Sequence, residues 1–277
     1  IGASFYKFIN GDVDHLFPKH VVQACSLRPY KANSQLKNAI SCYFKINKDD
    51  GGACYIFQKF EFTKIVVKKE NTLSYQEASK LISGEKNGRL EKILKAAEKA
   101  TLNSMKNRKG CGGETFEATT HLVYNNHDNV SLEEDTIEVT KMKKTVEEMM
   151  IRTNAAIAEL FEKCSMIENK CIYRNCKGGK FDKATYSLNT SEHAKLKFRA
   201  YMHFTSPIRR ASDTVNQLHL GLLMEKEILR KNMSKKPMKK SSDLERWRND
   251  PNNWGSSVDF KNISKKQQIS KRQLVCD

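Results

Sequence analysis

Apolar and polar positions alternate along the first 70 residues, and this alternation predicts short antiparallel strands. The predicted strands cover Ala3–Ile9, Ile40–Ile46, Ala53–Phe60 and Phe62–Val67. Turn-forming residues separate them, at Gly11 and in the run Asp49-Asp50-Gly51-Gly52. Residues 115–140, including Ile137 and Val139, are again predicted to form strands. We therefore expect one curved antiparallel sheet built from residues 1–70 and 115–140.

The hydrophobic period changes to that of a helix after residue 73. Ser74 is followed three residues later by Glu77, a capping-box spacing that predicts a helix start. A second helix is predicted from the stripe Leu90, Ile93, Leu94, Ala97 and Thr101, and the clearest one from Met142, Val146, Met149, Met150, Thr153, Ile157, Leu160 and Phe161. Residues 193–230 are predicted to be helical on both sides of the insert Tyr201–Arg210. These elements indicate an α+β fold, with helices around the sheet.

Charge and composition narrow the class of protein. The 277 residues contain 49 Lys+Arg and 32 Asp+Glu, a formal net charge of +17, which indicates a polyanionic partner. No apolar run approaches the roughly 18 residues that span a bilayer, and no leader segment is evident, so we expect no membrane partner. Eight cysteines without a CxxC pair suggest reduced thiols and an intracellular protein, cytoplasmic or nuclear rather than secreted.

A basic stretch follows the last predicted helix. The charged residues of Arg230–Lys240 are all Lys or Arg, and Pro237, Pro251 and Gly255 interrupt the region. Residues 230–257 are therefore interpreted as a flexible basic insertion or linker.

The most informative stretch surrounds two adjacent arginines. Ser206 followed by Pro207 has the chemistry of an N-cap and a first helical position. Arg209 and Arg210 would then lie in the first turn, where cations disfavour the helix itself, so an anion such as a phosphate is expected there. Asp213 is spaced to orient one of the two guanidinium groups. An ordinary capped helix with a surface Arg–Asp pair is the alternative that these residues leave open.

The same stretch resembles a known family signature. The run His203–Arg210, with Asp213 and Gln217, resembles the RNB catalytic domain, the family of RNase II, RNase R and the catalytic subunit of the eukaryotic exosome. Further blocks follow in that family's order: Leu16–His20 with Cys25–Arg28, Leu73–Ala78, Val146–Met149 with Asn154 and Ala158, and, weakly, Asn262–Arg272. The resemblance implies a 3′-to-5′ exoribonuclease that releases nucleoside monophosphates from single-stranded RNA with Mg²⁺.

The resemblance also implies roles for residues near the double arginine. Arg209 matches the arginine that grips the phosphate near the scissile bond and stabilises the transition state. Arg210 would line the path of the RNA backbone, with Ser206 and Asp213 supporting the site. Other RNA-decay proteins or an exosome-like complex are the implied protein partners.

Three further residues are expected to contact RNA by the same resemblance. Tyr75 matches the aromatic that packs the 3′-terminal nucleotides, and Glu147 the acid that reads terminal ribose hydroxyls. Phe116 is aligned with an aromatic that stacks on a base. The alternatives are a half-buried helix-start aromatic for Tyr75, a solvated helix acid for Glu147 and core packing for Phe116.

The metal-binding segment of the family is the main departure. Its closely spaced aspartates precede the block that Leu16–His20 resembles, and the sequence begins after that point. Asp12 and Asp14 form a weak substitute pair. We therefore expect residues 1–277 to be a single, partial RNB domain without its Mg²⁺ ligands. A gene fragment, a split enzyme and a catalytically inactive RNA-binding scaffold all remain open explanations.

Overall fold

The computed structural model of the chain describes residues 5–6, 13–29, 35–49, 52–69, 72–84, 88–114, 120–125, 129–164, 170–179, 182–233 and 257–258. In chain order the elements are β1 (Phe5–Tyr6), β2 (Val13–Asp14), α1 (Lys19–Cys25), β3 (Gln35–Asp49), β4 (Gly52–Val67), α2 (Tyr75–Ser83), α3 (Arg89–Gly110), β5 (Thr120–Asn125), β6 (Asn129–Glu134), α4 (Ile137–Glu162), β7 (Tyr173–Asn175), β8 (Thr185–Ser187), α5 (Ala211–Met233) and β9 (Ser257–Val258). The predicted α+β class, with antiparallel strands and helices, is confirmed.

A long hairpin, β3–β4, forms the main sheet. Two separate strands were expected within residues 53–67, but β4 is continuous. A β-bulge within β4 changes which alternate side chains face inward without ending the strand. Tyr43 pairs with Lys59 while Phe44 pairs with Phe57, so Gln58 is the extra residue. The inward positions of β4 therefore change from odd numbers, such as Tyr55, to even numbers, such as Phe60.

The described strands form four separate antiparallel sheets. β1 pairs with β2, β4 with both β3 and β9, β5 with β6, and β7 with β8. The expected single sheet from residues 1–70 and 115–140 is therefore wrong for the described strands, since β5 and β6 pair only with each other among them.

One predicted helix start is confirmed, and several other predicted positions differ in the structure. Ser74 forms the predicted capping box with Glu77. Ile137 and Val139, predicted in a strand, belong to α4, because the Thr136 side chain caps that helix by accepting from the Val139 amide. Val146 and Met149 of the predicted α4 stripe are about 40% exposed. Leu90 and Ile93 of the predicted α3 stripe are 47% and 54% exposed.

The core lies where α4 and α5 pack against β4. Its members are Phe60, Ile157, Ala158, Leu160, Phe161, Cys164, Cys171, Tyr173, Ala200, Met202, Phe204, Leu220, Leu223 and Met224. The residues from 193 to 200 form turns instead of the predicted helix, with Lys197 at a φ of 57°. Residues 201–204, which follow these turns, are buried.

Three smaller predictions are resolved in part. Cys25, Cys42, Cys164, Cys171 and Cys176 are free thiols, but Cys111 is disulfide-bonded, so the expectation of eight reduced cysteines is wrong.

Residues 230–233 of the predicted linker belong to α5, whereas 234–256 lie outside the described residues. Among the helices that the structure describes, none has the length and apolarity of a membrane span.

Candidate functional site

The two arginines lie in a connecting segment, Tyr201–Arg210, between the core and α5; we call it the arginine segment. Ser206 was predicted to be a helix N-cap, and this prediction is wrong. A turn over Pro207–Arg209 follows Ser206, and α5 begins only at Ala211. The Ser206 carbonyl accepts from the amides of Arg209 at 3.3 Å and Arg210 at 3.2 Å. The two arginines therefore lie at the end of a tight turn, not in the first turn of a helix.

An asparagine of α4 fixes the start of the arginine segment. Asn154 is 3% exposed, and its Oδ1 accepts from the Phe204 amide at 3.0 Å. Its Nδ2 donates to the Tyr201 hydroxyl at 3.0 Å. One buried amide thus holds both backbone and side chain of the segment against α4.

Two amides of α5 hold the same segment from the other side. Asn216, fully buried, donates from Nδ2 to the carbonyls of His203 and Ile172, both at 2.9 Å. Gln217 donates from Nε2 to the Phe204 carbonyl at 2.9 Å. Sequence reasoning missed Asn216, although a polar residue three positions after Asp213 on one helix face is a signal for it.

Asp213 holds the guanidinium of Arg210, not that of Arg209. Its side chain is fully buried, and its Oδ1 accepts from Arg210 Nη2 at 2.7 Å and from the Ser206 amide at 2.8 Å. Its Oδ2 accepts from the Ser212 hydroxyl at 3.2 Å. The carboxylate is therefore committed to donors that fix the turn and one arginine.

Arg209 is exposed, and its guanidinium is left available. Its hydrogen bond to a described side chain is a long one, from Nη2 to Ser206 Oγ at 3.4 Å. Within the described ranges, no carboxylate forms an ion pair with it. A guanidinium held beside an already neutralised arginine can accept a phosphate in a bidentate manner.

His203 joins the arginine segment to the β7–β8 hairpin. Arg174 Nη1 lies 2.9 Å from its Nε2, and the Tyr186 hydroxyl lies 2.8 Å from its Nδ1. Because a guanidinium can only donate, Nε2 accepts, and the ring proton resides on Nδ1 and is donated to Tyr186. No catalytic role was predicted for His203. Its neutral ring, with a hydrogen bond at each nitrogen, agrees with a role in supporting the arginine segment.

Burial and three nearby arginines lower the pKa of His203 to about 3. The arginines are Arg210, Arg174 and Arg209. An unfolded histidine has a pKa near 6.5, so between about pH 3 and 6.5 the unfolded chain binds a proton that the folded chain does not. The stability contributed by neutral His203 is complete above that range and is lost as the pH falls.

We predict that His203→Gln makes folding less sensitive to acid. From pH 7 to pH 5, protonation of His203 in the unfolded wild-type chain lowers the free energy of unfolding by about 2 kcal/mol, and the variant has no such loss. Urea unfolding of both proteins at the two pH values measures the difference. An equal loss in both proteins would contradict the neutral, buried assignment of His203.

Tyr75 lies at the contact between α2 and α4, and Glu147 lies on α4 beside Arg108 of α3. Tyr75 is 39% exposed, and its ring centroid lies 6.0 Å from Lys143 Nζ of α4. Glu147 follows Lys143 by one helical turn, and Asn154 follows Glu147 by two, on the same face. At 1.5 Å per residue, the path from Lys143 to the arginine segment's anchor at Asn154 is about 16 Å.

Glu147 is half-buried rather than a fully solvated helix acid. Burial raises its pKa, Arg108 lowers it and the neighbouring carboxylate of Glu148 raises it again. The side chain lines a small pocket with Lys144 and Leu196. Such a carboxylate can accept hydrogen bonds from hydroxyl groups while it is only partly exposed to water.

A buried ion network, missed by sequence reasoning, underlies Glu147. Arg108 Nη2 of α3 lies 2.7 Å from Glu148 Oε2 of α4, and both side chains are at most 5% exposed. Glu148 Oε1 also accepts from Ser104 at 2.6 Å and from Arg152 at 3.1 Å. The only available signal was spacing, since Ser104 and Arg108, like Glu148 and Arg152, are four residues apart.

The described residues do not fit Mg²⁺. No group of three metal-ligating side chains occurs among them, and Asp213 is committed to hydrogen-bond donors. Asp12 and Phe116 lie outside the described residues, and of Asp14 only its place in β2 is described. No metal-dependent step is therefore assigned to the described residues.

The comparisons with known proteins identify the family. The family model of the RNB domain matches residues 6–183 and 179–226, so the chain belongs to the RNB domain family. Comparison with curated protein sequences gives no match.

Solved structures share the fold. An active-site mutant of the Dss1 exoribonuclease from Candida glabrata superposes with a TM-score of 0.63 at 20% identity, covering 80% of this chain and 32% of that one. RNase R from Mycoplasma genitalium, in complex with ribose-methylated single-stranded RNA, gives 0.59 at 18% identity, covering 89% and 44%. Yeast Ssd1, described as a pseudonuclease, gives 0.52 at 13%, covering 88% and 34%. The chain thus spans between 32% and 44% of the length of these three proteins.

Proposed function

We propose that the chain acts in 3′-to-5′ degradation of single-stranded RNA, as the part of an RNB-family exoribonuclease that grips the RNA near the scissile phosphate. The observation that carries this proposal is the exposed Arg209 guanidinium beside Arg210, whose own charge is paired with buried Asp213. Membership of the RNB family and the RNA complexes of Mycoplasma genitalium RNase R support it.

Each residue has a defined role in this proposal. Arg209 donates to two oxygens of one phosphate, while the Asp213 pair keeps Arg210 in place beside it. Ser206 contributes through its backbone, whose amide binds Asp213 and whose carbonyl closes the turn. Because these contacts read the sugar–phosphate backbone, we expect little dependence on RNA sequence.

The 3′ end of the RNA is proposed to lie along α4. Tyr75 packs against the terminal nucleotides, and Glu147 accepts from ribose hydroxyls, which favours RNA over DNA. Phe116 is proposed to stack on a base further along the strand. Hydrolysis also requires carboxylates that hold Mg²⁺ and activate water; among the described residues these are absent, so no hydrolytic step is assigned to them.

A catalytically inactive RNA-binding or scaffold protein is the second candidate. Two observations favour it: the fold neighbour Ssd1 is described as a pseudonuclease, and the described residues hold no cluster of three metal ligands. Both candidates require RNA binding at the arginine segment, and they differ only in hydrolysis.

We predict that the 277-residue chain, tested alone, binds single-stranded RNA without cutting it. The assay incubates the chain with end-labelled RNA and Mg²⁺, following both fluorescence anisotropy and release of nucleoside monophosphates. We expect salt-sensitive binding, stronger for a single strand than for a blunt duplex, and no monophosphate. Failure to bind RNA would contradict the proposal. Release that depends on Mg²⁺ and on Arg209 would contradict the second candidate.

A further inference from the structure

Three neighbouring backbone segments bring Tyr186 next to the arginine segment. In the β7–β8 hairpin, Tyr186 is directly paired with Arg174. On its other side β7 contacts the arginine segment, because the Arg174 amide donates to the Tyr201 carbonyl at 2.8 Å and Tyr173 bridges to Met202. The Tyr186 side chain is therefore placed beside His203, six residues before Arg209.

The Tyr186 ring is anchored at its polar end and exposed elsewhere. Its hydroxyl accepts from His203 Nδ1, and the two ring centroids are 5.7 Å apart at 66°. Arg174 Cζ lies 5.9 Å from the Tyr186 ring centroid. Even so, Tyr186 is 40% exposed, whereas the neighbouring Tyr173 and Tyr201 are each 5% exposed. The core thus holds the hydroxyl but leaves the aromatic surface in contact with solvent.

The surroundings of the ring are basic. Arg174 Nη1 lies 2.9 Å from His203, and Arg209 and Arg210 follow His203 by six and seven residues in the arginine segment. All three arginines lower the pKa of His203. Asp213 neutralises Arg210, and His203 itself is neutral. Since Arg174 donates to a neutral acceptor, its positive charge is not cancelled by that contact.

From this geometry we propose that Tyr186 is an RNA-binding residue that stacks on a base of the strand whose phosphate Arg209 holds. The inference rests on the proposed function, because it needs RNA at the arginine segment. A half-exposed ring with its hydroxyl tied down loses little conformational freedom when a base covers it. Nearby guanidinium groups attract the phosphates on either side of that base.

The test combines Tyr186 variants with an abasic scan of a short single-stranded RNA. Tyr186→Ala should weaken binding about 5- to 150-fold, the range expected for one stacked base, and Tyr186→Phe should stay within about 3-fold of wild type. When the abasic site occupies the stacked position, wild type and Tyr186→Ala should bind equally well. At every other position the difference should persist.

Tyr43→Ala is the matched control. Tyr43 is also 40% exposed and has a cation, Lys59 Nζ, 5.0 Å from its ring centroid, but it lies on the β3–β4 hairpin. Its affinity for RNA should be unchanged. Urea unfolding checks each variant, and Tyr186→Leu replaces Tyr186→Ala if the alanine protein is unfolded.

Several results would overturn the inference while leaving RNA binding intact. These are no loss for Tyr186→Ala, a loss for Tyr186→Phe as large as for alanine, and a loss that no abasic position removes. The last of them would indicate a structural role, because a base is then not needed. A wild-type chain that binds no RNA would instead refute the proposed function.

Discussion

Replacing Arg209 by alanine should weaken binding of single-stranded RNA by about 10- to 150-fold, without a comparable loss of stability. The lost contact is a pair of charge-assisted hydrogen bonds to phosphate, worth about 1.5 to 3 kcal/mol. The fold should tolerate the change, because Arg209 is exposed and its hydrogen bond to Ser206 is long. Anisotropy titrations and urea unfolding measure the two effects separately.

Two variants sharpen this expectation. Arg209→Lys keeps the charge but loses the planar fork, so its affinity should fall between those of wild type and Arg209→Ala. Arg89→Ala removes an arginine that is also exposed, from the start of α3, and should bind like wild type. Equal losses for Arg89→Ala and Arg209→Ala would show that only overall charge matters.

Replacing Glu148 by alanine should produce the largest loss of stability, about 3 to 5 kcal/mol. The variant leaves Arg108 buried without its carboxylate and removes the acceptor shared by Ser104 and Arg152. An uncompensated buried charge is more costly than the loss of the pair itself. The free energy of unfolding, from urea titration, measures the effect.

Glu147→Ala is the matched control for that prediction. It removes the adjacent acid from the same helix, but the Glu147 side chain is not part of the ion network. We expect a loss of stability below about 1 kcal/mol and a reduced preference for RNA over DNA. Similar losses of stability in the two variants would contradict the structural assignment of Glu148.

Local patterns explain which elements the sequence could predict. The capping box at Ser74 was visible because its two partners are three residues apart. The start of α4 was missed, because Ile137 and Val139 have strand propensity and the deciding feature is one hydrogen bond, which the Thr136 side chain accepts from the Val139 amide. The bulge at Gln58 joined two expected strands into one, and alternation alone could not reveal it.

The same distinction applies to the candidate site. The pairing of Asp213 with Arg210 lies within one helical turn, so spacing could suggest it. The contacts of His203 with Arg174 and Tyr186 join residues 29 and 17 positions apart, and the Arg108–Glu148 pair joins residues 40 apart. Only the packing of β7–β8 and of α3 on α4 creates them. Sequence therefore indicated the arginines, whereas their support required the fold.

The salt dependence of RNA binding by Arg209→Ala tests the role of Arg209 most directly. For a single strand, the slope of log K against log salt changes by about 0.7 for each phosphate contact. We predict a slope shallower than wild type by about that amount for Arg209→Ala, and an unchanged slope for Arg89→Ala. A slope for Arg209→Ala that equals the wild-type slope would show that Arg209 does not hold an RNA phosphate.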